Sequence, residues 1–196
     1  MDLQSDKGTM IKLANYIKSL IDISDNDLRI ILSNFSKKEL AKGSYILKRG
    51  QIASSYYFIA SGAVRIFSDE EPNGKTLWIA FENQFVAELP SIRFQTPSEF
   101  SFQAIEDTVI MIIDSARMEQ LYAQIPQWQA FGRQIWEKSF LAVVQNVVLL
   151  QTHNATERYK RAVLETEYIQ RVPLKYLSSF LGITPSSLSR LRKKIK

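Results

Sequence analysis

The sequence predicts an α+β protein in which a β-roll lies between helices at both ends of the chain. Three observations support this prediction. Apolar residues have helical spacing over residues 10–35, short β-rich runs fill residues 40–113, and helical spacing returns from Asp114. The chain has 196 residues, of which 45% are hydrophobic and 23% are charged, so it has enough apolar material for a packed core.

Two helices are predicted near the N-terminus. The apolar residues from Ile11 to Leu20 form one amphipathic stripe, which is typical of a surface helix. Ser24 is a plausible N-cap for a second helix that carries Leu28 and Phe35 on its apolar side. These helices would form a small layer against the rest of the chain.

Six β-rich runs follow, at the spacing typical of a sandwich, a roll or a barrel. They are residues 45–48, 56–60, 63–67, 76–81, 100–104 and 108–113, with a turn at 72–74 and a segment of loop character through Pro90. A small roll encloses either its own side chains or a ligand. The aromatic residues Trp78, Phe81, Phe85, Phe94, Phe100 and Phe102 are expected to fill the roll or to line an apolar pocket.

A long helix is predicted over residues 127–150, with Pro126 in its first turn. At 1.5 Å per residue it would be about 36 Å long. Its apolar residues fall on two faces, and one of these can pack against the β-roll. The other is expected to contact the same helix of a second subunit, through Ile135, Val143, Val147 and Leu150. Burial of the whole helix within one domain is the alternative.

The C-terminal part of the chain is strongly basic. Residues 155–196 carry ten Lys or Arg and three Asp or Glu, for a net charge of +7, whereas residues 1–154 carry fifteen and seventeen, for −2. A basic segment on a near-neutral body predicts a polyanionic partner. A solvated basic face is the simpler interpretation of charge alone, so the prediction needs a motif.

That motif is a helix-turn-helix, in which Pro173 opens the first helix and Gly182 supplies the positive φ of the turn. Thr184 is a natural N-cap, and Pro185 takes the first position of the second helix. Small serines let this helix enter the major groove, Arg190 can be bidentate to guanine O6 and N7, and the basic residues beyond it can neutralise phosphates. The predicted DNA-binding residues are Thr184, Pro185, Ser186, Ser187, Ser189, Arg190, Arg192, Lys193 and Lys194. The alternative is a helical hairpin with a frayed basic tail.

Composition excludes several classes of protein. The chain has no cysteine, which excludes disulfides, iron–sulfur clusters and thiol catalysis. Its single histidine, His153, excludes a multi-histidine metal site and is expected to be a hinge or surface residue. Residues 1–9 are polar, and no apolar run approaches the ~20 residues of a membrane span. We therefore expect a soluble, cytoplasmic protein with no metal site and no cofactor.

The chain resembles the cyclic-AMP receptor protein/Fnr (Crp/Fnr) superfamily of bacterial transcription regulators, and most of all a short subgroup from Bacteroidetes-type bacteria. The resemblance rests on residues 43–45, 49–50, 57–65 and 85–88 in the roll, and on 155–159 and 181–190 in the tail. It implies a cyclic-nucleotide-binding-like roll of jelly-roll type in residues 1–126, a dimerisation helix in 127–153 and a helix-turn-helix domain in 154–196. The six residues after Arg190 are too few for the family's β-hairpin wing, so a truncated winged helix is expected, and whether the basic end replaces the wing is open.

The family's cyclic-AMP cassette is changed in this sequence. In the family, a Glu binds the ribose hydroxyl, and an Arg ten residues later pairs with the cyclic phosphate. Glu88 matches that Glu, but Ser98 stands at the Arg position and Glu99 follows it. Losing the charge-assisted pair weakens binding by roughly 1.5–3 kcal/mol. The sequence therefore predicts no cyclic-AMP binding, and the expected effector pocket consists of Trp78, Phe85, Glu88, Ser98, Glu99 and Phe100.

The predicted function is a DNA-binding, homodimeric transcription regulator of the Crp/Fnr type with an unknown effector. Its expected partners are double-stranded DNA with a near-palindromic operator, a second copy of the chain and RNA polymerase, with no membrane partner. The alternative is a ligand-binding sensor whose C-terminal helices contact proteins rather than DNA. An enzyme is disfavoured, because no phosphate loop, catalytic triad or metal cluster accompanies isolated carboxylates such as Glu88 and Glu99.

Overall fold

The computed structural model describes residues 3–68, 74–164 and 166–194. The helices are α1 Leu3–Leu20, α2 Asp25–Ser33, α3 Leu89–Phe94, α4 Ser115–Gln124, α5 Pro126–Thr152, α6 Ala155–Leu164, α7 Thr166–Arg171, α8 Leu174–Phe180 and α9 Pro185–Lys194. The strands are β1 Ser36–Leu40, β2 Tyr45–Leu47, β3 Ser55–Ser61, β4 Val64–Ser68, β5 Lys75–Ala80, β6 Phe85–Val86, β7 Ser101–Ala104 and β8 Thr108–Asp114. The predicted α+β class is therefore confirmed.

Two antiparallel sheets of four strands form the roll. One has the strand order β1-β8-β3-β6 and the other has the order β2-β7-β4-β5. The chain crosses between the sheets, as it does in a jelly roll. Between the sheets lies an apolar core that includes Ile59, Val64, Phe102 and Ile110. The roll is thus filled mainly by its own side chains.

A second core packs helices against the outer side of the first sheet. Leu13 and Ile17 of α1 lie beside Phe58 of β3, and Trp128 and Phe131 of α5 stack with ring centroids 4.5 Å apart in the same cluster. The predicted helix starts agree with this packing. Ser24 caps α2 by accepting a hydrogen bond from the Asp27 N–H at 3.0 Å, and Pro126 stands in the first turn of α5.

Some elements differ from those that the sequence predicts. β1 and β6 are absent from the predicted runs, and α3 occupies part of the segment that is predicted to be a loop. Of the predicted turn at 72–74, Pro72 and Asn73 lie outside the described residues, and Gly74 has a φ of 59°.

Helix α5 connects the β-roll to the C-terminal helices. It has 27 residues, which corresponds to a length of about 40 Å at 1.5 Å per residue. It includes the whole predicted helix over 127–150, and it ends where the exposed His153 forms the C-cap. Within the part of the chain that the structure describes, no helix combines the length and apolarity that crossing a membrane requires.

Candidate nucleic-acid interface and effector cavity

Helices α8 and α9 form the helix-turn-helix. Gly182 has a φ of 66°, as the turn prediction required, and the Ile183 N–H donates to the Ser178 carbonyl at 3.0 Å to close the turn. Leu177 and Leu188 are fully buried between the helices. This apolar contact fixes the angle of α9, so the outward side of α9 is presented on a rigid support.

The outward side of α9 is polar and basic. Thr184 accepts a hydrogen bond from the Ser187 N–H at 3.2 Å, which confirms it as the N-cap. The exposed side chains are those of Thr184, Pro185, Ser186, Ser189, Arg190, Lys193 and Lys194, and Ser187 is half-buried. The guanidinium of Arg190 lies 3.4 Å from the Ser187 hydroxyl, so it projects from the face that carries the small serines.

Arg192 differs from the other predicted DNA-binding residues. Its guanidinium donates to the carbonyl of Ile169 in α7 at 2.9 Å, and the side chain is half-buried. An α-helix has 3.6 residues per turn, so Arg190 and Lys194, which are four positions apart, lie on the same side of α9 and face outward. Arg192 is two positions from each of them, so it lies on the other side and faces the supporting helices. The structure therefore gives Arg192 a role in holding α9 against α7.

The helix-turn-helix is docked on the β-roll through strand β5 and α8. The Thr76 N–H donates to the Ser179 hydroxyl at 2.9 Å, and the rings of Trp78 and Phe180 meet edge to face with centroids 6.2 Å apart. The buried Arg65 guanidinium lies 4.1 Å from the Tyr176 ring centroid, in a cation–π contact. The contact joins the two parts of the chain without using the outward side of α9.

A cluster of charges completes the docking. Arg171, at the end of α7, bridges Glu82 at 2.8 Å and also pairs with Glu106, and Glu82 accepts a further hydrogen bond from the Gly62 N–H at 2.8 Å. Burial by itself would raise the pKa of Glu82, but the hydrogen bonds from Arg171 and from backbone N–H groups outweigh it, and the pKa lies below its ordinary value. Glu82 therefore stabilises the docked position as an anion.

An apolar cavity of about 260 Å³ lies between the roll and α5. Two predicted pocket residues, Trp78 and Phe85, line it. Its other apolar walls come from Tyr16, Ile66, Val86, Ala87, Ile135, Trp136, Ala142 and Val143. Aromatic and aliphatic walls with few polar groups suit an apolar ligand.

The other four predicted pocket residues lie elsewhere. Glu88 is buried and caps α3, where it accepts a hydrogen bond from the Ser91 N–H at 2.5 Å. The Ser98 hydroxyl is buried and donates to the Phe100 carbonyl at 2.8 Å, while Glu99 is exposed and Phe100 is half-buried. Because Glu88 and Ser98 are engaged by local backbone groups, the structure does not bring these four side chains to the cavity.

The two apolar faces predicted for α5 are present. Trp128 and Phe131 are buried on the inner face, whereas Phe140, Val143 and Val147 are 67%, 49% and 46% exposed. The exposed stripe also includes Leu141, Val144, Val148 and Leu150. Exposed apolar patches of this kind mark interaction surfaces.

Ile135 does not belong to that stripe. Its side chain is buried in the chain's own core, beside Trp128 and Phe131. The prediction that Ile135 contacts a second subunit is therefore wrong. At 100° per residue, Ile135 lies on the opposite side of α5 from Phe140 and Val147, which explains the error.

Comparison with known proteins identifies the kind of domain and the fold. Residues 37–125 match the family model of the cyclic nucleotide-binding domain. The chain spans about a quarter of the length of one curated relative, a protein of Rhodopseudomonas palustris whose name describes it as a potassium channel, with 23% identity over 104 residues that make up 53% of this chain.

Solved structures cover nearly the whole chain. The c-di-GMP-responsive global regulator CLP of Xanthomonas campestris is 19% identical, with a TM-score of 0.69 over 88% of this chain and 91% of that one. FixK2 of Bradyrhizobium japonicum is 17% identical, with a TM-score of 0.68 over 82% and 84%. A protein of Eubacterium rectale described as a Crp/Fnr-family transcriptional regulator is 16% identical, with a TM-score of 0.68 over 89% and 84%.

Residues 37–125 thus match the cyclic nucleotide-binding domain, and the fold of the chain is that of these solved structures. The fold that the resemblance implies is therefore confirmed. Two of these neighbours, the proteins of Xanthomonas campestris and Eubacterium rectale, are described as regulators.

Proposed function

We propose that this chain is a DNA-binding transcription regulator that acts as a homodimer. The observation that carries the proposal is the division of α9 into two sides. Leu188 is fully buried against α8, while Ser189, Arg190, Lys193 and Lys194 are exposed together. A helix that is small and polar near its tip and basic beyond it fits the major groove and its phosphates.

The proposed dimer forms along the exposed stripe of α5. Two copies that pair through Phe140, Val143 and Val147 would cover apolar side chains that the single chain leaves about half exposed or more. A two-fold axis along α5 would present two α9 helices symmetrically. Their half-sites would then be about 34 Å apart, one turn of DNA, and the operator would be a near-palindrome.

The proposed effector is an apolar molecule rather than cyclic AMP. The cavity of about 260 Å³ beside Trp78 and Phe85 has mostly apolar walls. The carboxylate of Glu88 caps α3, and Ser98 offers no positive charge to a cyclic phosphate. A ligand in this cavity would touch both the roll and α5, so it can favour one position of the two parts over another.

The proposal is tested by the salt dependence of binding to a duplex of arbitrary sequence. Neutralising phosphates releases counterions, so the logarithm of the affinity should fall linearly with the logarithm of the salt concentration. Lys194→Ala should reduce that slope by about one for each phosphate that the variant no longer neutralises. Lys42→Ala removes the same charge from an exposed position on the roll and should leave the slope unchanged.

Fluorescence anisotropy with a labelled duplex gives both slopes. Binding that does not respond to salt would show that α9 makes no phosphate contacts, and equal slopes for the wild type and both variants would show that Lys194 makes none. Salt-independent binding would favour the alternative function, a ligand-binding sensor whose C-terminal helices contact proteins rather than DNA.

A further inference from the structure

A second cavity, of about 220 Å³, lies where α5 meets α6 and the end of β5. It adjoins the apolar cavity but has different chemistry. The lining residues that matter here are Trp78, Gln145, Asn146, Arg158, Arg161 and Tyr168. At 100° per residue, the lining residues Gln145 and Leu149 lie on the side of α5 away from Phe140 and Val147, so pairing of the exposed stripes leaves this cavity accessible.

Two guanidinium groups from α6 reach the cavity. Arg158 donates from Nη1 to the Leu150 carbonyl at 3.3 Å, but its Nε is buried and has no hydrogen-bond partner among the described residues. Arg161 is exposed toward the opening. No carboxylate in the described ranges forms an ion pair with either side chain. A buried donor without a partner is costly, and a guanidinium is best satisfied by a phosphate or a carboxylate.

The opposite wall is aromatic. Tyr168 and Phe180 stack with ring centroids 5.3 Å apart and planes 7° apart, and Trp78 meets Phe180 edge to face. The amides of Gln145 and Asn146 add donors and acceptors at the rim. A flat ring with polar edges can lie against this wall, with its edges toward the amides.

We propose that this cavity binds a small ligand that carries a terminal phosphate and a planar heteroaromatic ring, the chemistry of a nucleoside monophosphate. A phosphate monoester carries a charge of about −1.5 to −2 at neutral pH, which suits two guanidiniums that have no carboxylate partner in the described part of the chain. A cyclic phosphodiester carries a single charge and offers a weaker match. The proposal does not depend on DNA binding, because none of its residues belongs to the outward side of α9.

Isothermal titration calorimetry with adenosine and guanosine 5′-monophosphates tests this proposal. At least one should bind the wild-type protein, and adenosine and inorganic phosphate should bind much more weakly. Arg161→Gln removes a charge-assisted contact to the ligand from an exposed position, so it should weaken binding at least about tenfold without affecting the fold. Lys160→Gln removes the same charge from an exposed position on the same helix and should leave the affinity unchanged.

Three results would overturn the proposal. The first is the absence of binding by either monophosphate at millimolar concentration. The second is unchanged affinity in Arg161→Gln, which would place the nucleotide elsewhere. The third is an equal loss of affinity in Lys160→Gln and Arg161→Gln, which would mean general attraction to a basic surface rather than a built site.

Discussion

Replacing Val147 by aspartate tests the proposed dimer most sharply. Val147 lies near the middle of the exposed stripe of α5, where 46% of the residue is accessible in the single chain. The substitution replaces an apolar contact by a carboxylate on each side of the expected two-fold axis. We expect the variant to be monomeric at concentrations at which the wild type is dimeric.

The magnitude follows from the exposed area. Burying a whole valine side chain stabilises by about 1.5–3 kcal/mol, so covering roughly half of it contributes about 1 kcal/mol per subunit and about 2 kcal/mol per dimer. Two carboxylates brought into the dimer interface destabilise the dimer by at least about 2 kcal/mol more, since each charge loses part of its hydration. A total of about 4 kcal/mol corresponds to a roughly thousandfold weaker dimer.

Sedimentation equilibrium at micromolar concentration measures this change. Gln145→Asp places the same side chain on the opposite side of α5 and should remain a dimer. Far-ultraviolet circular dichroism should show the same helix content for both variants, because neither position is buried in the chain's own core. A monomeric wild type, or a Val147→Asp variant that stays dimeric, would refute the proposed dimer interface along α5.

Four further outcomes are expected. Arg171→Ala should weaken docking of the helix-turn-helix on the roll by about 1–3 kcal/mol, seen as faster amide hydrogen exchange in α7 and α8. The pKa of Glu82 is lowered in the folded protein, so its contribution is complete above the ordinary value of 4.5 and is lost on acidification below it. The protection of amides in α7 and α8, measured relative to their intrinsic exchange rates at each pH, should therefore fall there. Arg190→Ala should weaken operator binding by about 1–3 kcal/mol per half-site and relax the preference at one base pair, as read from a randomised library. Calorimetry with millimolar cyclic AMP at neutral pH should show no micromolar affinity.

Each of these outcomes has a contrary result. Unchanged exchange in Arg171→Ala, or amide protection in α7 and α8 that does not fall on acidification, would show that the charge cluster does not hold the docked position. An Arg190→Ala variant that keeps the preferred sequence while binding every site more weakly would make Arg190 a phosphate contact. Micromolar binding of cyclic AMP would mean that the changed cassette still recognises the nucleotide.

The fold could be predicted from the sequence because the periodicities that define its elements are local. The helix-turn-helix could be predicted from Gly182, Thr184 and Pro185, since a positive φ, an N-cap and a first-turn proline are properties of single positions. The strand β1 could not, because its residues are mostly polar and lie at the edge of a sheet, where neither face needs to be apolar. The two-residue strand β6 is too short to show any period.

The candidate sites could be predicted less completely, because they depend on contacts between distant residues. Arg171 lies 89 positions from Glu82, and nothing in the local sequence around either residue indicates that they pair. The match of Glu88 to a family motif predicts that its carboxylate lies in the effector pocket. In the structure the carboxylate instead accepts a hydrogen bond from the backbone of α3. Ile135 is predicted on the wrong face of α5. Both faces are apolar, and the sequence pattern alone does not show which residues belong to the face that is buried in the chain's own core.

Selection of binding sites from a randomised duplex library tests the central claim most directly. A dimer that reads DNA through two α9 helices should enrich near-palindromes whose half-site centres lie about 34 Å apart, and Val147→Asp should lose that enrichment together with the dimer. Sequences that show no enrichment, or a single half-site enriched equally by the wild type and Val147→Asp, would contradict the proposed dimeric regulator.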